Sequence, residues 1–451
     1  MRVRRLRFID NISGLQFFQL MKFTVFLIVS IVFTKSHLTR SEIGSWEMFL
    51  FISGLITFFW VTGIIQSLLP LYHRNKTFRQ FGETKKRKSP EIFNTFLLLC
   101  FFSLLFFALG HSIKNSVSVF NFSGNVPYIN LLLLYILLSS PVCLIEYIYL
   151  LKNRSYRILQ YSIYTFSAQL ILIIVPVFFG KDIIWSIYGL LIITFVRWIW
   201  LIILLRRYSE IRVSWEFMRE HLYLGIPLII TSLISGSAQY IDGIIVSSVY
   251  QDPAMFAWFR YGAKEFPLVL LLANGLHNAM LPEFSTRSMM RESLARIKLK
   301  SKKLMHLLFP IMMVIMLFSR WFYPRLFNPE FHKSAGIFMV YSLLIIPRLL
   351  FPQTIVVGRK KTRVTLVAAL IEIAINIPLS LLMIKWGYGI VGVALSTFIV
   401  YCIGKIILIG YVWAKMKIKP SEYIPLQVFI IYSVILSFIF LLVDKRIIEI
   451  G

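Results

Sequence analysis

Seven ionisable residues stand inside long apolar stretches of this 451-residue chain: Lys22, Glu146, Arg197, Asp242, Arg348, Glu372 and Lys405. A charge at the centre of a bilayer-crossing helix costs about 2.5–3.5 kcal/mol on insertion scales, so such residues face a cavity or a partner. Gln16, Gln19 and Lys22 recur about one turn apart and make one polar face suited to lining a cavity. Thr231, Ser235, Gln239 and Asp242 recur at intervals of four, four and three. Asn274, His277 and Asn278 cluster likewise, and Glu372, Asn376 and Ser380 fall at i, i+4 and i+8. For the Ser and Thr hydroxyls, interhelical hydrogen bonding worth about 1 kcal/mol per contact is a sufficient account. Asp242 and Glu372 carry charge and are read as cavity groups, either as counter-ions to Lys22 or Arg348 or as an ion-coupling site. Glu146 lies four residues from the cytoplasmic end of its segment and is read as snorkelling. Arg197 and Lys405 hold corresponding ranks in the two halves and suit helix pairing, snorkelling or ligand contact equally. Arg260 and Lys264 are candidates for phosphate contact, with an exposed loop position as the alternative.

The elements that position these residues follow from composition. Hydrophobic residues make up 58% and charged ones 15%, too little polar surface to solvate a globule of this length. A hydrocarbon core of about 30 Å takes about 20 apolar residues as helix. Thirteen such segments are expected, near 15–34, 46–69, 92–110, 128–150, 158–179, 183–205, 222–248, 264–281, 304–323, 335–357, 364–384, 389–413 and 423–443. They are too long for barrel strands. The first has a basic start, Arg2 to Arg7, but contains Lys22 and has no small-residue cleavage site, so it reads as a retained anchor. Cys100, Cys143 and Cys402 lie in apolar stretches without paired or metal-ligand spacing, so no disulfide, metal or other cofactor is expected.

The formal charge of +28 would suggest nucleic acid in a soluble protein; here it reports topology. Of the 48 Lys and Arg, 32 fall in the amino terminus and the even-numbered loops, from Arg74–Lys88 to Lys415–Lys419. The positive-inside bias assigns these to the cytoplasm and the carboxyl terminus to the outer side. At an offset of 206, Tyr135 and Pro141 match Tyr341 and Pro347, and Arg157 matches Arg363. At 200 to 201, Trp185 faces Trp386 and Tyr188-Gly189 faces Tyr388-Gly389. The expected fold is thus an all-α integral membrane protein of about 13 transmembrane helices. Two parallel six-helix repeats, 1–210 and 211–415, are followed by an extra carboxyl-terminal helix in 416–451. Parallel repeats of this kind are common in transporters. Every loop is short, no GxxxxGK[ST] motif is present and nothing resembles a filter loop. An enzyme, an ATPase and a channel are therefore disfavoured, and a secondary transporter remains.

Three stretches carry a family resemblance: Leu38-Thr39-Arg40-Ser41-Glu42-Ile43-Gly44; Gly225-Ile226-Pro227 through Asp242 with Phe266-Pro267 through Ser285; and Asn376-Ile377-Pro378-Leu379 through Trp386-Gly387-Tyr388-Gly389 to Thr397. By these the chain resembles the polysaccharide exporter branch, the O-antigen-type flippases, of the multidrug/oligosaccharidyl-lipid/polysaccharide exporter superfamily. The small residues of the third stretch suit a tight turn and close helix packing. Thirteen helices depart from the twelve or fourteen usual in such families, and Gly262 stands where members often place a basic residue, for which Arg260 and Lys264 are substitutes.

The resemblance implies passage of a lipid-linked oligosaccharide, typically on undecaprenyl diphosphate, to the outer leaflet of a bacterial cytoplasmic membrane. Alternating access would rock two halves about a cavity. Lys22, Arg260, Lys264 and Arg348 would contact pyrophosphate or acidic sugar, and Gln19, Gln239, Asn274, Asn278 and Asn376 sugar hydroxyls. Asp242 and Glu372 are the ion-coupling candidates. Membrane lipids and a polysaccharide polymerase complex are the expected partners, and nucleic acid is not. The competing readings are a drug or cation antiporter of the same superfamily, an O-antigen polymerase or ligase, and a lipid scramblase or structural membrane protein.

Overall fold

The computed structural model describes residues 11–81, 88–113, 126–285, 290–359 and 361–444. Arg2 to Arg7, the side chains of Arg74 to Arg87, Lys114, Arg287, Lys360, Lys445 and Arg446, and the side chains of Thr231, Ser235 and Gln239, lie outside the described residues. Among the described residues the fold is helical, and the extended pairing is an isolated bridge between Ser89 and Ser209. In hydrocarbon no water can satisfy the backbone, and an α-helix pairs its N–H and C=O groups within the segment.

The chain divides into two compact units, Met1–Gly236 with Asp252–Ala254, and Ser237–Gln251 with Met255–Gly451. The first holds α1 (Asn11–Thr34), α2 (Arg40–Phe81), α3 (Pro90–Ile113), α4 (Ile129–Val142), α5 (Leu144–Leu151), α6 (Ser155–Phe178) and α7 (Ile183–Tyr208). The division falls within α8 (Trp215–Tyr250). The second unit continues with α9 (Pro253–Gly262), α10 (Pro267–Met280), α11 (Met290–Leu326), α12 (His332–Ser342), α13 (Ile345–Arg348) and α14 (Pro352–Gly358). It closes with α15 (Thr362–Met383), α16 (Gly389–Met416), α17 (Pro420–Tyr423) and α18 (Leu426–Asp444).

Among the described residues, ten helical stretches are long and apolar enough to cross a membrane, or eleven if Pro329–Arg348 and Pro352–Gly358, bent by 50°, form one span. This differs from the thirteen expected. Two expected segments, 364–384 and 389–413, are α15 and α16, which lie within one apolar stretch, Thr362–Met416, and are separated by a turn. The one expected at 264–281 is α10, whose 14 residues are fewer than a bilayer requires.

Two breaks fall beside prolines, which lack an N–H and whose ring crowds the carbonyl four residues back, whereas Pro70, Pro176, Pro227, Pro310, Pro324 and Pro378 lie within continuous helices. The segment at 128–150 divides at Cys143, two residues after Pro141. That at 335–357 divides around α13, which contains Pro347, and α14 restarts on Pro352. The Tyr and Pro matched at offset 206 thus lie on a broken helix in each unit. Between α15 and α16 the chain turns through Gly387 at φ 89° and Gly389 at φ 57°, conformations that cost any residue with a Cβ.

In the first unit Trp60 stacks on Phe102 and Phe106, with centroids 5.8 and 5.6 Å away. Here α7 meets α6 closely: the Ser186 hydroxyl donates to the Ile173 carbonyl at 2.8 Å, and one turn on, a Cβ at Gly189 would overlap the Leu172 carbonyl. Backbone cannot step aside as a side chain can, so Gly189→Ala should destabilise this unit by about 1–3 kcal/mol. A lowered unfolding midpoint of the detergent-solubilised protein is the check. In the second unit α18 is held on α11 by Tyr432, which stacks on Phe309 at 5.3 Å and hydrogen-bonds His306 at 2.9 Å.

Candidate functional site

Asp242 and the stripe containing Asn376 meet in the second unit. Asp242 is 5% exposed. One of its oxygens accepts from the Tyr341 and Thr397 hydroxyls, both at 2.6 Å, and the other from Asn376 Nδ2 at 3.1 Å. Asn376 Oδ1 accepts from the Ser380 hydroxyl at 2.9 Å, and the Ser380 and Ser396 hydroxyls are 2.5 Å apart. Ser396 in turn donates to the Val393 carbonyl. Helical period places these groups: Asn376 and Ser380 one turn apart on α15, Ser396-Thr397 on α16, Tyr341 on α12. Among the described residues every donor to Asp242 is neutral.

Beside this network lies an ion pair. Arg348 Nε and Nη2 donate to the two oxygens of Glu265 at 2.9 and 2.6 Å, the forked geometry that fixes a guanidinium on a carboxylate. The guanidinium also lies over the Tyr401 ring, 4.9 Å from its centroid. The third stripe member, Glu372, comes within electrostatic reach of Lys405 and Arg348. Lys405 Nζ donates to the Leu350 carbonyl at 3.3 Å. Electrostatic contacts through Tyr341 and Tyr401 join Asp242, Glu265, Glu372, Arg348 and Lys405 into one cluster. Among the described residues three acids face two bases there, so full ionisation leaves one negative charge unbalanced, and the acid without a cation is Asp242.

The first unit holds a cluster of the opposite balance. Lys22, Glu146 and Arg197 lie within electrostatic reach of one another. Glu146 is 8% exposed and does not snorkel; its two cationic neighbours make that burial tolerable. Arg197 Nη2 donates to Gln169 Oε1 at 2.7 Å and lies over the Phe166 ring at 5.0 Å. Arg197 Nε and Gln169 Nε2 are buried with no hydrogen-bond partner among the described residues. Gln16, Gln19 and Lys22 open together on one exposed face of α1.

Of the remaining candidates, Arg260 lies on α9 and Lys264 in the link to α10, its Nζ 4.6 Å above the Tyr261 ring. Asn274 and Asn278 are exposed on α10, opposite the buried Ala273, Leu276 and Met280. His277 turns instead to the Thr354 hydroxyl at 2.8 Å. The side chain of Gln239 is outside the described residues. Thus Asp242 and Asn376 are joined directly, Arg348 and Glu372 stand beside them, and Lys22 with Gln19 belongs to the other unit's cluster.

Sequence reasoning missed Glu265, Tyr341, Thr397, Tyr401 and Gln169 as site groups. Thr397, Tyr401 and Lys405 recur every four residues on α16, a readable stripe. Glu265 sits in a loop before Pro267, where nothing distinguishes it from a solvated charge.

A protein-family model described as polysaccharide biosynthesis protein matches residues 37–336. The fold is similar to that of lipid II flippase MurJ in an inward closed conformation, with TM-score 0.68 and 18% identity, covering 96% of this chain and 93% of that one. It is also similar to an inward-facing MATE multidrug resistance transporter of the MOP superfamily, with TM-score 0.66 and 13% identity over 92% of this chain and 99% of the other. A Vibrio cholerae MATE transporter gives TM-score 0.54 and 12% identity over 91% and 99%. No curated protein sequence matches the chain. At these identities the structural likeness concerns the fold.

Proposed function

The chain belongs to the polysaccharide biosynthesis protein family, and from that premise we propose that it is a secondary transporter of a lipid-linked oligosaccharide. In this reading the cargo rides on undecaprenyl diphosphate and passes from the cytoplasmic to the outer leaflet of a bacterial cytoplasmic membrane, with the amino terminus on the cytoplasmic side. The family supports the glycan, and the similarity of fold to a lipid II flippase suits a lipid-linked substrate. The observation that carries coupled transport is Asp242: a buried carboxylate inside a membrane-spanning unit, held by neutral donors. A low-dielectric interior disfavours that charge unless a proton or a monovalent cation accompanies it. Binding and release of that positive charge is the coupling event.

Within this reading Lys22, Arg260 and Lys264 meet the phosphates, since ammonium and guanidinium groups are the side chains that hold such oxygens. Gln19, Gln239, Asn274 and Asn278 meet sugar hydroxyls. Arg348 and Asn376, committed to Glu265 and Asp242, serve the coupling network.

Deleting the gene and following lipid-linked glycans across the two leaflets tests the proposal. Complete oligosaccharide-lipid should accumulate on the cytoplasmic leaflet, and restoring the gene should clear it. Unchanged glycans with altered drug sensitivity would replace this reading with a drug antiporter, and incomplete glycan chains would point to a polymerase.

A further inference from the structure

Glu372 and Lys405 lie within electrostatic reach of one another, and neither donates to or accepts from Asp242. The fully buried residues of α15 are Ala368, Asn376 and Ser380, and Glu372 completes their row at intervals of four. The carboxylate therefore faces into the unit and not into lipid. It meets α16 at Gly404, where a Cβ would overlap Glu372 Oε1, so the absence of a side chain there creates the seat for a carboxylate. The next residue is Lys405, anchored on the Leu350 carbonyl at 3.3 Å. Glu372 is ten residues into α15, about 15 Å along the axis, near the middle of a hydrocarbon core about 30 Å thick. A paired acid and base at that depth has no role in orienting loops and is costly unless used.

We propose that Glu372 is a proton-exchange site, with Lys405 as its built-in counter-ion, one helical turn along α15 from Asn376 of the coupling network. The proposal rests on the coupled-transport reading and deepens it. A proton from the aqueous phase joins one Glu372 oxygen and gives the neutral acid. Lys405 keeps its own proton and stays on the Leu350 carbonyl, and loss of the Glu372 proton restores the pair. The chemistry selects a proton over a metal ion. Asp242 has two hydroxyl oxygens and the Asn376 amide beside it, whereas Glu372 has a glycine Cα on one side and an ammonium within electrostatic reach that repels any metal cation. A proton needs no shell of ligands. The charged and titratable groups that face Glu372 are Lys405 and Tyr401 from α16 and Arg348 from α13. Glu265 and His277 stand behind them, and α14 brings no ionisable side chain.

The test is infrared difference spectroscopy on the full chain reconstituted in liposomes and stepped between about pH 8 and about pH 5. A protonated-carboxyl band should appear in the wild-type protein, persist in Asp242→Asn and vanish in Glu372→Gln. Lys405→Met should remove the band's response to pH, and Lys405→Arg should keep it. A band unaffected by Glu372→Gln, or no band from Glu372 across that range, overturns the proposal. A structural pair would not produce a titrating band, and unfolding of a variant is read from the amide bands of the same spectra. The spectra need no cargo. Loss of this signal with intact glycan export therefore refutes the proton site alone, whereas a normal signal with unaltered glycans after gene deletion refutes the transport reading alone.

Discussion

Asp242→Asn is expected to abolish glycan export while leaving the protein in the membrane at its normal level. The substitution keeps shape and removes charge. The asparagine Oδ1 can accept from Tyr341 and Thr397 as the carboxylate does. Its Nδ2 would then face Asn376 Nδ2, and the Asn376 amide must turn over, giving up the bond from Ser380. That loss amounts to about one hydrogen bond, on the order of 1 kcal/mol, which a folded bundle tolerates. The functional loss is of another kind. In the proposed mechanism a neutral group at 242 no longer binds and releases the coupling charge, and transport loses that driving force. Asp242→Ala should be worse on both counts, because it leaves three buried donors unpaired at about 1–3 kcal/mol each. The measurement is export in a deletion strain carrying each variant, with membrane abundance read in parallel. Wild-type export by Asp242→Asn would remove Asp242 from the coupling mechanism.

The two residues of that network that sequence reasoning singled out, Asp242 and Asn376, were legible for one physical reason. A polar side chain in an apolar helix repeats at three or four residues when it faces a protein interior. The same period revealed Glu372 and Ser380 on α15 and the glutamines beside Lys22 on α1. Periodicity says which residues share a face; it says nothing of which face meets which. That is why the partners of Asp242 on α12 and α16 were not foreseen and why Arg348 was expected at a phosphate, since its carboxylate partner lies in a loop 83 residues away. The extent of one expected segment was misread for a related reason. Hydropathy registers apolar length, and a run such as 264–281 includes a loop and Pro267 ahead of a helix of 14 residues. The expected segments 128–150 and 335–357, the helices of both Tyr-Pro matches, are each broken near the matched proline.

Arg348→Met should be among the most destabilising single changes in the second unit, lowering stability by about 3–5 kcal/mol. The side chains of Arg348 and Glu265 are 26% and 17% exposed, so this is not a surface pair worth almost nothing. Removing the guanidinium leaves the Glu265 carboxylate without its forked partner and strands the Tyr401 face that the guanidinium covers. Adding Glu265→Gln to Arg348→Met removes the uncompensated charge, and replacement of both members of a buried pair is often neutral. The double variant should therefore unfold at a higher temperature than Arg348→Met alone, and the two changes should be strongly non-additive, as contacting residues are. The same cycle decides what Arg348 does in transport. A phosphate contact depends on the guanidinium itself, so export would stay lost in the double variant despite its recovered stability. A residue whose work is to hold Glu265 and Tyr401 beside the coupling network becomes dispensable once its partner is neutral. Recovery of export together with stability is the expected result, because the Nε–Nη2 edge of the guanidinium is already turned to Glu265 and its face to Tyr401.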